Sequence, residues 1–511
     1  MFKNYLKIAL RYLLKNKLYS IINIFGLAVG IASFVLIMLY VNYEKSYDTF
    51  EGSENVYRIY MDYLEGDTYV PGDAMTYNSS GPALKEMFPE VLDYVRFYYF
   101  EKLAFKVGEK ILEQPLGSLA DPSYFDIFNY PLLEGDKKTV LAEPNAIVLS
   151  KSFAKKLFGN QNPLRRTISV FEDGKETQLT VTGIMEDVPE TAHYRNSFLI
   201  SYETEKILTD FGPTAHELNW NMNNYYTYLK LAPNTNIDVL RQKIIDSDIE
   251  KSETERHNIE PIEDIHLYSD KPYEVTANGS VLRIKFLTAI AFIILVLSWL
   301  NYVNLSTTKS MERAKEAGIR KVAGAKKSQL IVQSLMESLL LNFIAMVIAL
   351  SIVFGVLPLY TNIIGNELNL DWGFIVSFIP YFIFIVGGVI LAGLYPAFLL
   401  SRYSPAKALK GKVRASTEGI GLRKGLIVTQ FFATIVLLTG TFIISKQINF
   451  LDNQPIGADV GQIIALHGTV VSTQSDSLVN NDFRVLKEQL EDFPFIEKPA
   501  IAQTYPGDSF D

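Results

Sequence analysis

Five runs in this chain are apolar over about 20 residues each, the length an α-helix needs to cross the hydrocarbon core of a bilayer. They are Ile21–Tyr40, Phe286–Val303, Ile331–Leu359, Phe374–Leu400 and Leu426–Ser445. Lipid offers the backbone no hydrogen-bond partner, so each run is expected to satisfy its own amides as a helix. This accounts for the composition, in which a net positive mean hydropathy coexists with 20% charged residues. The first run is longer than the apolar core of a secretory signal, and no A-x-A-like site follows Leu39-Tyr40-Val41, so it reads as an uncleaved signal anchor. The absence of cysteine excludes disulfides and thiolate metal sites.

Lys and Arg beside the spans set the expected orientation. Residues 1–18 carry Lys3, Lys7, Arg11, Lys15 and Lys17 and no acid. Residues 305–329 carry Lys309, Arg313, Lys315, Arg320, Lys321, Lys326 and Lys327 against Glu312 and Glu316. Residues 401–424 carry Arg402, Lys407, Lys410, Lys412, Arg414, Arg423 and Lys424 against Glu418. Residues 43–281 have the opposite balance, 40 acids to 23 bases. If every run crosses once, the three basic segments share one side. The expectation is a multi-pass protein of the cell inner membrane with a cytoplasmic N-terminus. It divides into a cytoplasmic helix 1–18, spans 19–42, 282–304, 330–360, 373–400 and 425–446, an outward domain 43–281, cytoplasmic segments 305–329 and 401–424, and an outward tail 447–511. Lys3, Lys7, Arg11 and Lys15 recur every four residues, so the N-terminus reads as a basic amphipathic helix lying on membrane lipid.

The outward domain reads as α+β. β-rich stretches at Asn55–Tyr60, Ala146–Leu149, Leu179–Gly183 and Tyr225–Lys230 are separated by turn signals such as Glu172-Asp173-Gly174. Ser150–Phe158 reads as a helix ended by an αL cap at Gly159, and Asn236–Ile245 as another. Little here carries chemistry. The histidines, His193, His216, His257, His266 and His467, lack metal-ligand spacing, and His266 beside Glu263 and Asp264 reads as surface polarity. Neither a G-x-S-x-G elbow nor a G-x-x-x-x-G-K-[ST] phosphate loop occurs. The chain is therefore expected to be no enzyme and to bind neither metal nor cofactor.

The first and fifth spans resemble each other. Lys17 precedes Asn23, and Lys424 precedes Gln430, by the same interval at an offset of 407 residues. The order span, outward domain, three spans, then span and outward tail suggests a duplicated unit truncated in its second half, the complete design running to roughly 800 residues.

Several stretches together resemble the FtsX-like permeases with a MacB-like periplasmic core, subunits of type VII ABC transporters, in the style of Bacteroidetes-like bacteria. They are Arg11–Lys17 with Asn23–Gly30, Pro144–Ser150 running into Ala154–Gly159, Glu316–Ala325 with Gln333 and Glu337-Ser338, and Tyr395–Ala397 through Ser404-Pro405 to Leu409-Lys410. The resemblance implies an α-helical transmembrane bundle of five spans with a large α+β extracytoplasmic MacB-like domain. It also implies that the segment from Glu312 to Ala325 is a coupling helix seating in a cytoplasmic ABC ATPase subunit. Glu312, Lys315, Glu316, Gly318, Ile319, Arg320, Lys321, Ala323, Gly324 and Ala325 are the candidate docking residues. Gly318 and Gly324 can break or cap a short helix Ile319–Ala323, the alanines keep the backbone close to a partner, and Arg320 and Lys321 offer charge to an acidic groove.

Gly26 and Gly30 form a G-x-x-x-G suited to close helix packing. Glu337, near the inner end of the third span, is expected to face a helix interface or pair with a base of the coupling segment, and Ser298, Asn301 and Asn304 to face the bundle interior. The resemblance implies mechanotransmission: ATP-driven motion of the partner passes through the bundle to the outward domain, serving export of periplasmic substrates such as peptides or drugs. Lipoprotein release, control of a cell-wall hydrolase, and a non-transport sensor or anchor are the alternatives. A second permease copy or homologous permease, and a periplasmic or outer-membrane partner, are expected; nucleic acid is not.

Overall fold

The computed structural model describes residues 2–172, 175–208, 220–247, 249, 252–364, 376–402, 417–454, 463–464 and 476–500. It divides into two compact units, Met1–Lys45 with Val281–Ala458, and Ser46–Ser280 with Asp459–Asp511. Helices are numbered α1 (Phe2–Lys15), α2 (Lys17–Lys45), α3 (Ser80–Met87), α4 (Tyr124–Ile127), α5 (Lys151–Phe158), α6 (Glu205–Leu208), α7 (Ile237–Ile245), α8 (Ile262–Tyr268), α9 (Val281–Glu312), α10 (Ala314–Val322), α11 (Lys327–Ile364), α12 (Ile379–Arg402), α13 (Thr417–Asp452) and α14 (Asp476–Glu491).

In the first unit, five helices are long and apolar enough to cross a membrane, and they fall on the five apolar runs: α2, α9, α11, α12 and α13. Four of them close a ring in which α2 packs on α9 and α11, and α12 packs on both of those. One face of α2 is buried, through Asn23, Leu27, Gly30, Ile31, Phe34, Met38 and Val41. Helix α11, which packs on α2, buries Leu341, Ala345, Ala349 and Val353 at four-residue spacing. Polar groups inside the ring bond across helices: Tyr302 Oη donates to Ser338 Oγ at 2.5 Å, and Tyr360 Oη donates to the Leu36 carbonyl at 3.0 Å. The fifth helix, α13, leans on α9, where Asn304 Nδ2 reaches Gln430 Oε1 at 3.4 Å, and its side chains are mostly exposed.

Gly30 sets the closest approach in this ring. A Cβ there would overlap Ser298 Oγ and lie 2.7 Å from Ser298 Cβ, an atom that no rotamer change can move. Gly26 is looser, its virtual Cβ meeting Asn301 Nδ2 at 3.4 Å. Gly30→Ala is therefore expected to push α2 from α9 and lower the unfolding free energy of the full chain in detergent by about 1–3 kcal/mol. The double variant Gly30→Ala/Ser298→Gly should recover most of that loss; no recovery would show that α9 is not the obstacle.

Helix α9 runs on past residue 304, where apolar character fades. Thr308 Oγ1 bonds the Asn304 carbonyl and Ser310 Oγ bonds the Ser306 carbonyl, both at 2.9 Å, so the polar side chains are absorbed by the helix that carries them.

The second unit is built on one mixed sheet. Its strands are β1 (Val56–Glu65), β2 (Thr68–Pro71), β3 (Val91–Val107), β4 (Lys110–Ala120), β5 (Leu132–Glu134), β6 (Ala146–Ser150), β7 (Thr167–Glu172), β8 (Lys175–Met185), β9 (Phe198–Ser201), β10 (Tyr226–Leu231) and β11 (Glu255–Pro261). The order is β11-β1-β10-β3-β4-β9-β6-β8-β5, with β2 on β1 and β7 bridging β3 and β8. Most neighbours are antiparallel; β4 with β9 and β6 with β8 are parallel. Alternate residues of β8 turn inward, including Thr177, Leu179 and Val181. An aromatic cluster fills one core, with Phe97 stacked on Tyr194 at 4.6 Å and edge-on to Tyr228 at 5.5 Å.

Both anticipated helices form here. Ser150 caps α5 by accepting from Phe153 N at 3.3 Å, and Asn236 caps α7 by accepting from Val239 N at 3.2 Å. Gly159 ends α5 with φ +62° but ψ −121°, so its backbone leaves the left-handed helical region expected of it. His266 is not at the surface: it is buried, its ring stacked on Tyr47 at 3.5 Å. His193 and His257 are buried as well, bonded to Tyr228 Oη at 2.6 Å and Ser80 Oγ at 2.7 Å. Residues Asp173, Gly174, His216 and His467 lie outside the described residues, as do Ser404, Pro405, Leu409 and Lys410 and most of 455–475.

Candidate functional site

The segment between α9 and α11 concentrates charge. Its helix α10 places Glu316 in the first turn and Arg320 and Lys321 in the last, each sign at the end the helix dipole favours. Termination is specified by Gly324, at φ +96°. Its amide bonds the Lys321 carbonyl at 3.1 Å, and the Ala325 amide bonds the Arg320 carbonyl at 3.0 Å. That pair of bonds is a Schellman close, and its left-handed residue favours glycine. Gly318 does not break the helix; it lies buried within α10, which therefore begins at Ala314 rather than Ile319. Glu312 is the last residue of α9 and Lys315 the second of α10.

A closed ring of polar contacts fastens α10 to α11. Arg313, at the break between α9 and α10, grips Glu337 with both guanidinium nitrogens, Nη1 to Oε2 at 2.6 Å and Nη2 to Oε1 at 3.2 Å. Gln333 Nε2 donates to Glu337 Oε1 at 3.0 Å, and its own Oε1 accepts from Arg320 Nη1 at 2.7 Å. Arg320 Nη2 donates to Glu316 Oε1 at 2.7 Å, and Glu316 Oε2 lies 3.8 Å from Arg313 Nε, closing the circuit. These residues, with Ala317 and Leu330, line a small open cleft. Burial works against the charge of Arg313, but the hydrogen bonds and charge of Glu337 outweigh it and hold the guanidinium above its ordinary range. The Tyr12 ring of α1 lies 4.2 Å from the same guanidinium.

This arrangement changes the role expected of Arg320. Its fork is occupied within the chain, by Gln333 and Glu316, so it stiffens α10 instead of presenting an open bidentate grip. Among the described residues of the segment, Ile319 is 50% and Val322 66% exposed, with Ala323 and Gly324 exposed beside them and Glu316 and Lys326 exposed as well. Lys321 and Ala325 are half-buried; burial, with Lys327 nearby, pulls the Lys321 ammonium below its usual range. The expectation that Glu337 pairs with a base of this segment is met by Arg313, whereas nothing in the local sequence places Tyr12 beside them. The spacing of four residues between Gln333 and Glu337 on one helix is the sign in the sequence that they act together. Among the described residues no cluster of His, Asp or Glu is arranged to hold a metal ion.

Comparison with known proteins gives two family matches: a MacB-like periplasmic core domain over residues 20–247 and an FtsX-like permease C-terminal domain over residues 288–405. An ABC transporter permease of Bacillus subtilis, YvrN, itself uncharacterized, is 22% identical over 427 residues, covering 80% of this chain and 99% of its own. The macrolide export ATP-binding/permease protein MacB of Neisseria meningitidis is 24% identical over 221 residues, covering 43% of this chain and 32% of its own, so the chain spans about a third of that relative's length. Among solved structures, the periplasmic region of MacB from Actinobacillus actinomycetemcomitans is 17% identical with a TM-score of 0.32, covering 42% of this chain and 91% of that one.

Proposed function

Because the chain belongs to the ABC-transporter permeases of the MacB and FtsX type, we propose that it is the subunit that converts ATP hydrolysis by a separate cytoplasmic polypeptide into motion of its outward domain. The observation that carries this reading is the ring of Arg313, Glu316, Arg320, Gln333 and Glu337. A helix locked to a membrane span by buried charge moves as one body with that span, so a push on α10 becomes a displacement of α11. The exposed apolar pair of α10, Ile319 and Val322, is the contact offered to the ATPase, with Lys321 at its edge. ATP and Mg reside on that partner. The bundle transmits the motion through α2 and α9, the helices the chain follows into and out of the domain 46–280. Work of this kind suits export of substrates already outside the membrane, peptides or drugs, and a second permease copy completes the assembly.

The test is co-purification of an ATP-hydrolysing polypeptide with the tagged full chain from its native membrane. Ile319→Glu with Val322→Glu should reduce that recovery about tenfold or more, since charge placed in the centre of an apolar contact forfeits a hot spot. Hydrogen exchange of α10 should stay as in the native chain. Undiminished recovery of the partner would refute the docking role of this surface.

A further inference from the structure

The ring has a second connection, and it leads to α1. Ala9 and Leu13 are buried against the bundle, where α1 packs on α11 and α2. Ser20 Oγ bonds the Leu13 carbonyl at 3.0 Å and Asn16 Nδ2 the Tyr12 carbonyl at 3.1 Å, fixing the corner between α1 and α2. The opposite side of α1 carries Lys7, Arg11 and Lys15, all exposed. Exposed Ile8, Leu10 and Leu14 flank them, at 37%, 44% and 67%. Residues 1–18 contain no acid to oppose this charge. Between the two sides, Tyr12 lies against the guanidinium of Arg313.

We propose that α1 is an arm that binds anionic phospholipid headgroups and reports their presence to α10 through the contact of Tyr12 with Arg313. Charge complementarity selects the occupant. A row of three cations bordered by leucine and isoleucine fits the headgroup boundary of a bilayer, where the apolar side chains enter the acyl region and the long basic ones reach back to the phosphates. A soluble acidic protein would leave the flanking apolar residues in water. Seating of α1 holds the Tyr12 ring on Arg313, and Arg313 is the residue from which the ring to Glu337 and Glu316 starts. Lipid charge therefore sets how firmly α10 is held. The consequence for coupling rests on the docking reading of α10, but the binding and its relay do not.

The chain lacks cysteine, so Leu14→Cys gives a single attachment point for an environment-sensitive fluorophore in the full-length protein. In nanodiscs, brominated phosphatidylglycerol should quench this probe at a lower mole fraction than brominated phosphatidylcholine. Each basic side chain contributes about fivefold to that preference. Lys7→Gln/Arg11→Gln/Lys15→Gln should bring the two lipids close to parity, and high salt should do the same. Equal quenching by both lipids in the native chain, or an unaltered preference in the triple variant, overturns the lipid site. For the relay, amide exchange in 314–322 should slow several-fold when phosphatidylglycerol replaces phosphatidylcholine. Tyr12→Leu should abolish that response while leaving the lipid preference at residue 14 intact. An α10 indifferent to lipid, or equally responsive in Tyr12→Leu, overturns the relay. Neither readout involves an ATPase, so failure here is distinct from failure of the docking surface.

Discussion

Truncating Glu337 to alanine should free α10 from α11 and speed amide exchange across 314–322 by about a hundredfold, equivalent to about 3 kcal/mol. The glutamate is largely withdrawn from solvent, at 9% side-chain exposure, and Arg313 at 18% has no other carboxylate at hydrogen-bond distance among the described residues. Removing one member of such a pair leaves the other charge desolvated and unmatched, which costs far more than the pair contributes. Gln333 loses its acceptor at the same time, and with it the contact that orients its own oxygen toward Arg320. The double variant Arg313→Met/Glu337→Leu removes both charges and should recover more than half of the stability lost in Glu337→Ala. A strictly additive cycle would show that the two residues do not act on each other. Recovery of stability without recovery of the co-purifying ATPase would assign the ring's charge to coupling rather than to folding.

Replacing Arg58 by methionine should destabilise the domain 46–280 by about 3–5 kcal/mol, read as the opening free energy of β1, β10 and β11 by hydrogen exchange on the full chain. Arg58 is 1% exposed and holds Glu260 and Glu274, each at 2.6 Å, while Lys271 Nζ contacts the other oxygen of Glu260 at 2.6 Å. Burial alone would raise the carboxyl of Glu274, but the hydrogen bonds and charge of Arg58 prevail and hold it below its ordinary value near 4.5. A depressed carboxyl contributes stability that is complete above the unfolded value and is lost as pH falls through the folded one. The native domain should therefore weaken with acid below about pH 4.5. In Arg58→Met the stranded carboxylates gain by taking up protons, so the gap between native and variant should narrow as pH falls. A gap independent of pH would mean that Arg58 acts by packing alone.

Much of the fold could be read from local sequence because its causes are local. An apolar run of bilayer length permits few outcomes, and all five became long helices. Ser150 and Asn236 announced helix starts by the hydrogen bonds their side chains can make. The domain's sheet was less accessible: β4 beside β9 and β6 beside β8 join strands far apart in the chain, and nothing within a strand names its neighbour. His266 shows the same limit from the other side. Two adjacent acids suggested a wet surface, yet the stacked ring of Tyr47, distant in sequence, keeps it buried.

The segment from Ala314 to Ala325 divides along that line. Its composition alone placed a cationic, glycine-containing stretch between two spans, because charge bias and hydropathy are sums over neighbouring residues. Which cations remain open to a partner was decided only when α11 folded alongside. Arg320 spends its hydrogen bonds on Gln333 and Glu316, Arg313 spends its own on Glu337, and the exposed surface passes to Ile319 and Val322. Neutralising a charge requires a partner a few ångströms away and the loss of water from both, and only the packed chain supplies either.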